Sequence, residues 1–488
     1  MKRFCHHVPS GSLLSRKEFL GKAGLLLAGT SLSALSVLGA GTNPSSIRSP
    51  YVHRAYNGWI TDLASEPDRH AGWPSMRLDE RLLADYDETF GLMRRLGFNE
   101  IVIWGLYVAN NWPVDLASAV PPARGRLVER LIAAAHQRGL KVLSGLGAYS
   151  WGFANIIRAH PNLNGGNANA MCASQPESHE WMRRVVDYVF DRFAIDGVSM
   201  QPADQGRCPC ARCAPIPDAE YHAGLVIRTA EYIRSKWPRM VLGMSNWGLS
   251  FGNPRDRETF ARLSRSLNYL IDQNNSAQWG GPAYRRQFIA GLGCAFGTTG
   301  GPVVEPPQHW PRDRWFLPTC RLVYEHLRAL AADGGRACEF FYHILANPGS
   351  ELTFHVAGRT LANPNTPLDQ IMIDVVEKLY RPKNTSTRNG LARFFRAAEE
   401  AYCRYLSRGF CGTISLEPLV GDKPGPPVYL RERLDPKQRG TYARAVVELA
   451  NEWETLRPNV RNQIRAQRLT ACLRNVTADL KLTVQTVG

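Results

Sequence analysis

In DGVSMQPADQGRCPCARC, residues 196–213, an apolar run ends at Asp204 and is followed by Cys208, Cys210 and Cys213. A carboxylate at the end of a buried strand can exchange a proton with a bound molecule. Two of them across a sugar can cleave a glycosidic bond: one protonates the leaving oxygen, and the other attacks the anomeric carbon or activates water. Three more carboxylates have suitable surroundings. Glu305 follows GGPVV and precedes PPQHW, while Asp272 and Glu339 lie inside apolar runs, where alternation can aim them into a barrel mouth. Burying them is costly unless they are paired or functional. Asp204, Glu305, Asp272 and Glu339 are therefore the candidate catalytic residues. A structural ion pair, for instance to Arg336, is the competing role for each.

Aromatic and amide groups accompany them. Trp59, Trp104 and Trp247, with Asn246, Tyr342 and His343, fall at the ends of apolar runs. Indole faces there can stack on the C–H faces of sugar rings, and core filling is the other use of the same rings.

The cysteines raise a separate question. Neighbours in Cys208-x-Cys210-x-x-Cys213 are poorly placed to bridge one another. Three thiolates with a fourth ligand suit structural zinc, and Cys172 is the fourth candidate because the third and fourth strands adjoin. Such a site has no open position, so it would brace its loop rather than react. One or two disulfides, to Cys172 or to a distant cysteine, are the alternative outside the cytosol. No G-x-G-x-x-G follows the first strand, so no organic cofactor is expected.

These residues need a scaffold that brings strand ends together. Apolar runs at 53–60, 99–105, 141–149, 196–204, 240–248, 267–275, 294–304 and 337–343 read as strands. Between them, segments such as 79–97 and 125–139 repeat apolar residues every three or four positions and end in Gly97 and Gly139, as helices do. Eight strand–helix units predict an α/β fold, a (β/α)8 TIM barrel over residues 53–345, with its active site at the C-terminal ends of the strands. Residues 346–488 read as a helical C-terminal region packed on the barrel.

Residues 1–40 have a basic start, a mild apolar stretch and small residues, which predicts a signal peptide, with a linker over 41–52. Ser15-Arg16-Lys17-Glu18-Phe19-Leu20 resembles a twin-arginine export signal in which lysine replaces the second arginine. The expected location is periplasmic or extracellular, with membrane contact only through the export machinery. That leader carries a net four of the sixteen positive charges, leaving +12 for the rest. The basic residues are dispersed and no nucleic-acid-binding motif is present, so no nucleic-acid partner is expected. A positive field suits an acidic carbohydrate substrate.

MCASQPESHEWMRRVV (171–186), VSMQPADQGRCPCARC (198–213) and the stretch 342–380 are similar to segments of a family of bacterial exported proteins. That family is related to α-glucuronidases and carries a conserved domain of unknown function. The resemblance covers roughly residues 53–380, and Gln175 stands where the family has asparagine. It implies a hexosaminidase- or glucuronidase-like barrel, Asp204 as a site residue and the four cysteines as a metal or thiol cluster. The Asp-Glu dyad of hexosaminidases is absent, since Gln205 follows Asp204. The reading is an exported glycoside hydrolase acting on a polysaccharide or oligosaccharide that is acidic or uronic. A non-catalytic glycan-binding protein on the same scaffold is the alternative, and a redox protein using its cysteines is a third.

Overall fold

The computed structural model describes residues 49–60, 77–108, 111–273, 276–277, 281–300, 303–304, 318–341, 345, 347–405, 415–416 and 436–485. The leader, residues 41–48 of the linker, Glu305, Tyr342 and His343 lie outside the described residues.

Eight parallel strands close into a barrel: β1 (His53–Trp59), β2 (Glu100–Trp104), β3 (Lys141–Gly147), β4 (Gly197–Gln201), β5 (Val241–Ser245), β6 (Tyr269–Asp272), β7 (Ala295–Thr298) and β8 (Ala337–Phe341). Closure is made by β8 pairing with β1, Glu339 opposite Ala55. The strands are shorter than the apolar runs that announce them, so Asp204 comes three residues after β4 rather than at its last position.

Period-two alternation divides the strand residues between two cores. Ala55, Val102, Leu143, Val241, Tyr269, Ile271 and Ala337 cluster inside the barrel with Trp59, Trp104 and Trp151. Their neighbours Ile101, Ile103, Val142, Val198, Met200, Leu242, Met244 and Leu270 join a separate, larger core with the helices. That outer layer is α1 (Glu80–Arg95), α2 (Pro122–Gln137), α3 (Pro176–Arg192), α4 (Asp218–Lys236), α5 (Arg257–Ser264), α6 (Gly281–Ala290), α7 (Cys320–Ala332) and α8 (Pro348–Ala362).

Trp104 explains one glycine. A Cβ on Gly145 would stand 2.1 Å from the Trp104 ring, so the indole can lie across β3 only where a side chain is missing. Deeper in the barrel, Glu339 is 2% exposed. It accepts hydrogen bonds from Asn57 Nδ2, from the Ser199 hydroxyl at 2.9 Å and from the Tyr269 hydroxyl at 3.4 Å. These donors come from β1, β4 and β6, so the carboxyl ties together strands on opposite walls. None is a cation, and burial raises its pKa to about 7 despite them.

The C-terminal helices α9 (Leu368–Tyr380), α10 (Thr385–Tyr405), α11 (Pro436–Leu456) and α12 (Gln463–Gln485) build a second helical core. Two barrel helices belong to both. Phe354, Ala357 and Leu361 of α8 face the barrel, with Phe354 stacked on Phe98 at 4.8 Å, while Leu352 and Val356 face the bundle. On α7, Val323, Leu327 and Leu330 face inward and Cys320 and Tyr324 outward. Polar ties reinforce the join. Glu399 of α10 accepts the first amides of α7, Arg321 at 2.8 Å and Leu322 at 3.0 Å, as a cap from another helix. Buried Glu351 of α8 holds Arg465 of α12 through two bonds, that to Nε being 2.9 Å.

Two of these buried carboxylates give measurable outcomes. Glu351→Ala strands Arg465 in a largely buried site, and urea denaturation is expected to register a loss of about 3–5 kcal/mol. Glu339 acts through pH. The folded chain keeps its proton up to about 7 whereas the free side chain releases it near 4.5, so its contribution falls as pH rises across that window. Glu339→Gln should therefore match the native protein near pH 4 and exceed it by up to about 3 kcal/mol near pH 8 in paired urea titrations. A gap that does not change with pH would contradict this account.

Candidate functional site

The C-terminal rim of the barrel is assembled from the last residue of each strand and the loop after it. Trp59 is the last residue of β1 and Trp104 the last of β2, and their rings stack at 5.5 Å with 18° between planes. Trp151, four residues past β3, meets both edge-on, at 5.1 Å to Trp104 and 6.3 Å to Trp59. Trp59 is partly exposed, whereas Trp104 is 1% exposed and forms the floor on which the other two rest. The residue types that mark a sugar platform thus divide into one that can meet a ligand and one that supports it.

Asp204 stands in the loop after β4, partly exposed, between the loops that follow β3 and β5. Burial raises its pKa, and a hydrogen bond from the Trp247 indole works against that rise. Three contacts hold this short loop. The Ser150 hydroxyl accepts the Gln205 amide at 2.9 Å, Asn167 Nδ2 donates to the Gln205 carbonyl at 2.9 Å, and the Gly206 amide bonds the Ala203 carbonyl at 3.0 Å. Ser150 is flanked by Tyr149 and Trp151, which sit at φ 64° and 58° in the left-handed region. For residues with a Cβ this backbone is strained, and such strain persists only where the surroundings enforce it. Tyr149 is enforced by its hydroxyl, 2.7 Å from His179 Nδ1, and by its carbonyl, which accepts the Met171 amide at 2.9 Å. Ser150, Asn167 and the backbone strain at the two aromatics were not legible in the sequence, since no motif marks a hydroxyl that meets a backbone amide 55 residues away.

Asp272 has a different setting. Its oxygens accept the Ser276 amide and hydroxyl, each at 2.9 Å, the Ala277 amide at 2.7 Å and Asn246 Nδ2 at 2.9 Å. It is fully buried, and with Asn246 it pins the loop after β6 to the loop after β5. The structure gives both residues this bracing position rather than an exposed place on the rim. Glu339 lies below the tryptophan layer, saturated by its three donors. Among the described candidates, Asp204 alone combines a rim position, partial exposure and a raised pKa.

Behind the Asp204 loop the four thiols converge. The sulfurs of Cys172, Cys208, Cys210 and Cys213 lie within 4.8 Å of one another, and all four are free thiols. Cys172 Sγ is 3.6 Å from Cys210 Sγ and 4.0 Å from Cys213 Sγ. Four sulfurs about 2.3 Å from one ion stand about 3.8 Å apart at the corners of a tetrahedron, so this donor set fits a metal ion. The backbone makes room for it, since a Cβ on Gly165 would fall 2.0 Å from Cys208 Sγ. Burial raises the Cys208 and Cys213 thiols. At Cys210 burial acts the same way but is outweighed by contacts with the Cys213 backbone, Cys208 and Ser174, which bring it to about 6. Arg207 locks the loop's far side, bonding the Ile216 carbonyl and Asp218, each at 2.6 Å, and stacking on Tyr221 at 4.4 Å. Cys172 belongs to the β3–α3 connection and the other three to the β4–α4 connection, so the cluster joins the two loops that also meet at Ser150 and Asn167.

No protein-family model and no curated protein matches the sequence. Membership of the α-glucuronidase-related family is therefore not shown. Among solved structures, a GH138 enzyme targeting pectin rhamnogalacturonan II is 9% identical with a TM-score of 0.56, over 88% of this chain and 57% of its own. The chain thus spans a little over half the length of that enzyme. A Thermobaculum terrenum O-GlcNAc hydrolase mutant is 11% identical at TM-score 0.46, over 89% of this chain and 83% of its own. CpGH84B is 10% identical at 0.47, over 90% and 69%. At such identities the likeness concerns the fold: the closed eight-stranded α/β barrel of this chain is one that it shares with a glycoside hydrolase.

Proposed function

We propose that this protein is an exported glycoside hydrolase that acts on an acidic or uronic-acid-containing polysaccharide or oligosaccharide. The observation that carries the reading is the setting of Asp204. It stands on the rim of the barrel, partly exposed, beside an indole, on a loop clasped from two sides. A carboxyl whose pKa burial has raised keeps its proton at a higher pH than a solvated one, and a general acid needs that proton to protonate a leaving oxygen. Asp204 takes this role, and Glu305, in the segment after β7, serves as base or nucleophile. Asp272 and Glu339 act as bracing groups. Trp59, supported by Trp104 and Trp151, offers the sugar its aromatic face, with Trp247, Tyr342 and His343 as further substrate-binding residues. The net charge favours an acidic substrate, and the GH138 enzyme of like fold targets a pectin polysaccharide.

Zinc is the ion that four thiolates suit best. Held by Cys172, Cys208, Cys210 and Cys213, it would have no open position, so its contribution is to fix the loop that carries Asp204. A glycan-binding protein without catalysis is the second reading. It is favoured by the saturation of Asp272 and Glu339, which leaves one described carboxylate free for chemistry on the rim.

Purified protein offered a panel of neutral, uronic and sulfated oligosaccharides should release product from an acidic member. Asp204→Asn should lower kcat/KM by about 100-fold to 10,000-fold while retaining binding. Binding without product from either protein would establish the glycan-binding reading instead. Elemental analysis by mass spectrometry should find one zinc per chain. Cys210→Ala should lose that metal and lower the thermal midpoint, and a full zinc complement in the variant would rule out a tetrathiolate site.

A further inference from the structure

Outside the barrel mouth, a cavity of about 50 Å3 opens between α3 and α4, lined by Tyr149, His179, Arg183, Arg228, Thr229 and Tyr232 together with Met182 and Val186. The two guanidiniums come from different helices and are exposed. Among the described residues Arg228 has no carboxylate partner, and Arg183 has only the exposed Glu180 on its own helix at 3.8 Å. Asp187, an acid of α3, is occupied by the Tyr232 hydroxyl and by Lys236 Nζ, each at 2.7 Å. Two guanidiniums thus line the cavity with no carboxylate among its lining residues. His179 reports it: burial first, then Arg228 and Arg183, hold its pKa below the usual value, so the ring stays neutral between the two cations.

The geometry points to a binding site for one tetrahedral oxyanion, a sulfate or phosphate group clamped between Arg183 and Arg228. The size fits this class, because about 50 Å3 has room for a few water molecules or one such group. Guanidinium forks from two helices match the oxygens of such an anion, and charge-assisted bonds of this kind are the strong ones. The site also has a physical link to the rim. Tyr149 lines the cavity, its hydroxyl meets His179, and the next residue is Ser150, whose hydroxyl holds the Gln205 amide beside Asp204. An anion that fixes His179 and Tyr149 therefore steadies the loop carrying Asp204, whatever reaction that loop serves.

Isothermal titration of the full chain with inorganic sulfate and with inorganic phosphate, at constant ionic strength set by chloride, tests the assignment. Saturable binding of one equivalent is expected. Arg228→Ala and Arg183→Ala should each weaken it by about tenfold or more, and Arg228→Lys should weaken it less than Arg228→Ala. Arg184→Ala, on the same helix but facing Trp181, should leave it unchanged. Circular dichroism checks that each variant is folded, and these positions are exposed, so folding is retained. Glucose 6-sulfate separates the sources: tighter binding than inorganic sulfate assigns the site to a sulfate ester on a glycan, and weaker binding assigns it to the free ion. Heats no larger than those of chloride, or equal affinity in Arg228→Ala, would overturn the proposal. Neither result depends on hydrolysis, so failure here and failure of the hydrolase reading are separate outcomes.

Discussion

Closing eight strands leaves an interior only a few side chains across, and the groups that fill it decide the rest of the molecule. Here the filling is unequal. Trp104 lies flat over a residue without a side chain, and its indole occupies the volume that smaller groups would otherwise share. Below it, Glu339 replaces part of the apolar packing with a carboxyl held by three neutral donors from three other strands. The interior thus has an apolar lid and a polar middle. Because the lid is full, the bore of the barrel has no room to spare, and any opening lies at the rim among the loops. Those loops must be held rigid by something other than the strands.

Two of them solve that problem together. The β3–α3 and β4–α4 connections meet through a hydroxyl, an amide side chain and four sulfurs, and Asp204 lies on the shared stretch. A carboxylate on a free loop would sample many positions and be well solvated. Clasped as it is, Asp204 is partly withdrawn from water and lies beside the Trp247 indole. The strain at Tyr149 and Trp151 is consistent with this, since unfavourable backbone persists only where several contacts converge on it.

Much of the architecture was legible because it is written in short periods. Strand–helix alternation, the helix-ending glycines and the Cys-x-Cys-x-x-Cys spacing are local patterns, and each has its counterpart in the structure. The unreadable part depends on parity and on length. Asp272 and Glu339 both lie inside strands, but which of two alternate positions faces the bore depends on register, and the two residues fall on opposite sides. Trp104 sits at a strand end as anticipated, yet its ring is covered by Trp59 and Trp151 and lies across Gly145, so it stays under the rim. The predicted strands run past the ends of the ladders, by Pro202–Asp204 at β4 and by Asn246–Gly248 at β5. Ser150 and Asn167 are ordinary polar residues in a loop, and only the fold brings them to Gln205.

The double allegiance of α7 and α8 has a consequence for how the chain can come apart. Each helix presents one face to the strands and the opposite face to the terminal bundle, so neither core is complete while either helix is displaced. Unravelling the C-terminal helices would strip one side of the barrel wall, and opening the wall would leave the bundle without two of its packing partners. Among the described residues the two cores therefore share helices, and displacing α7 or α8 weakens both at once.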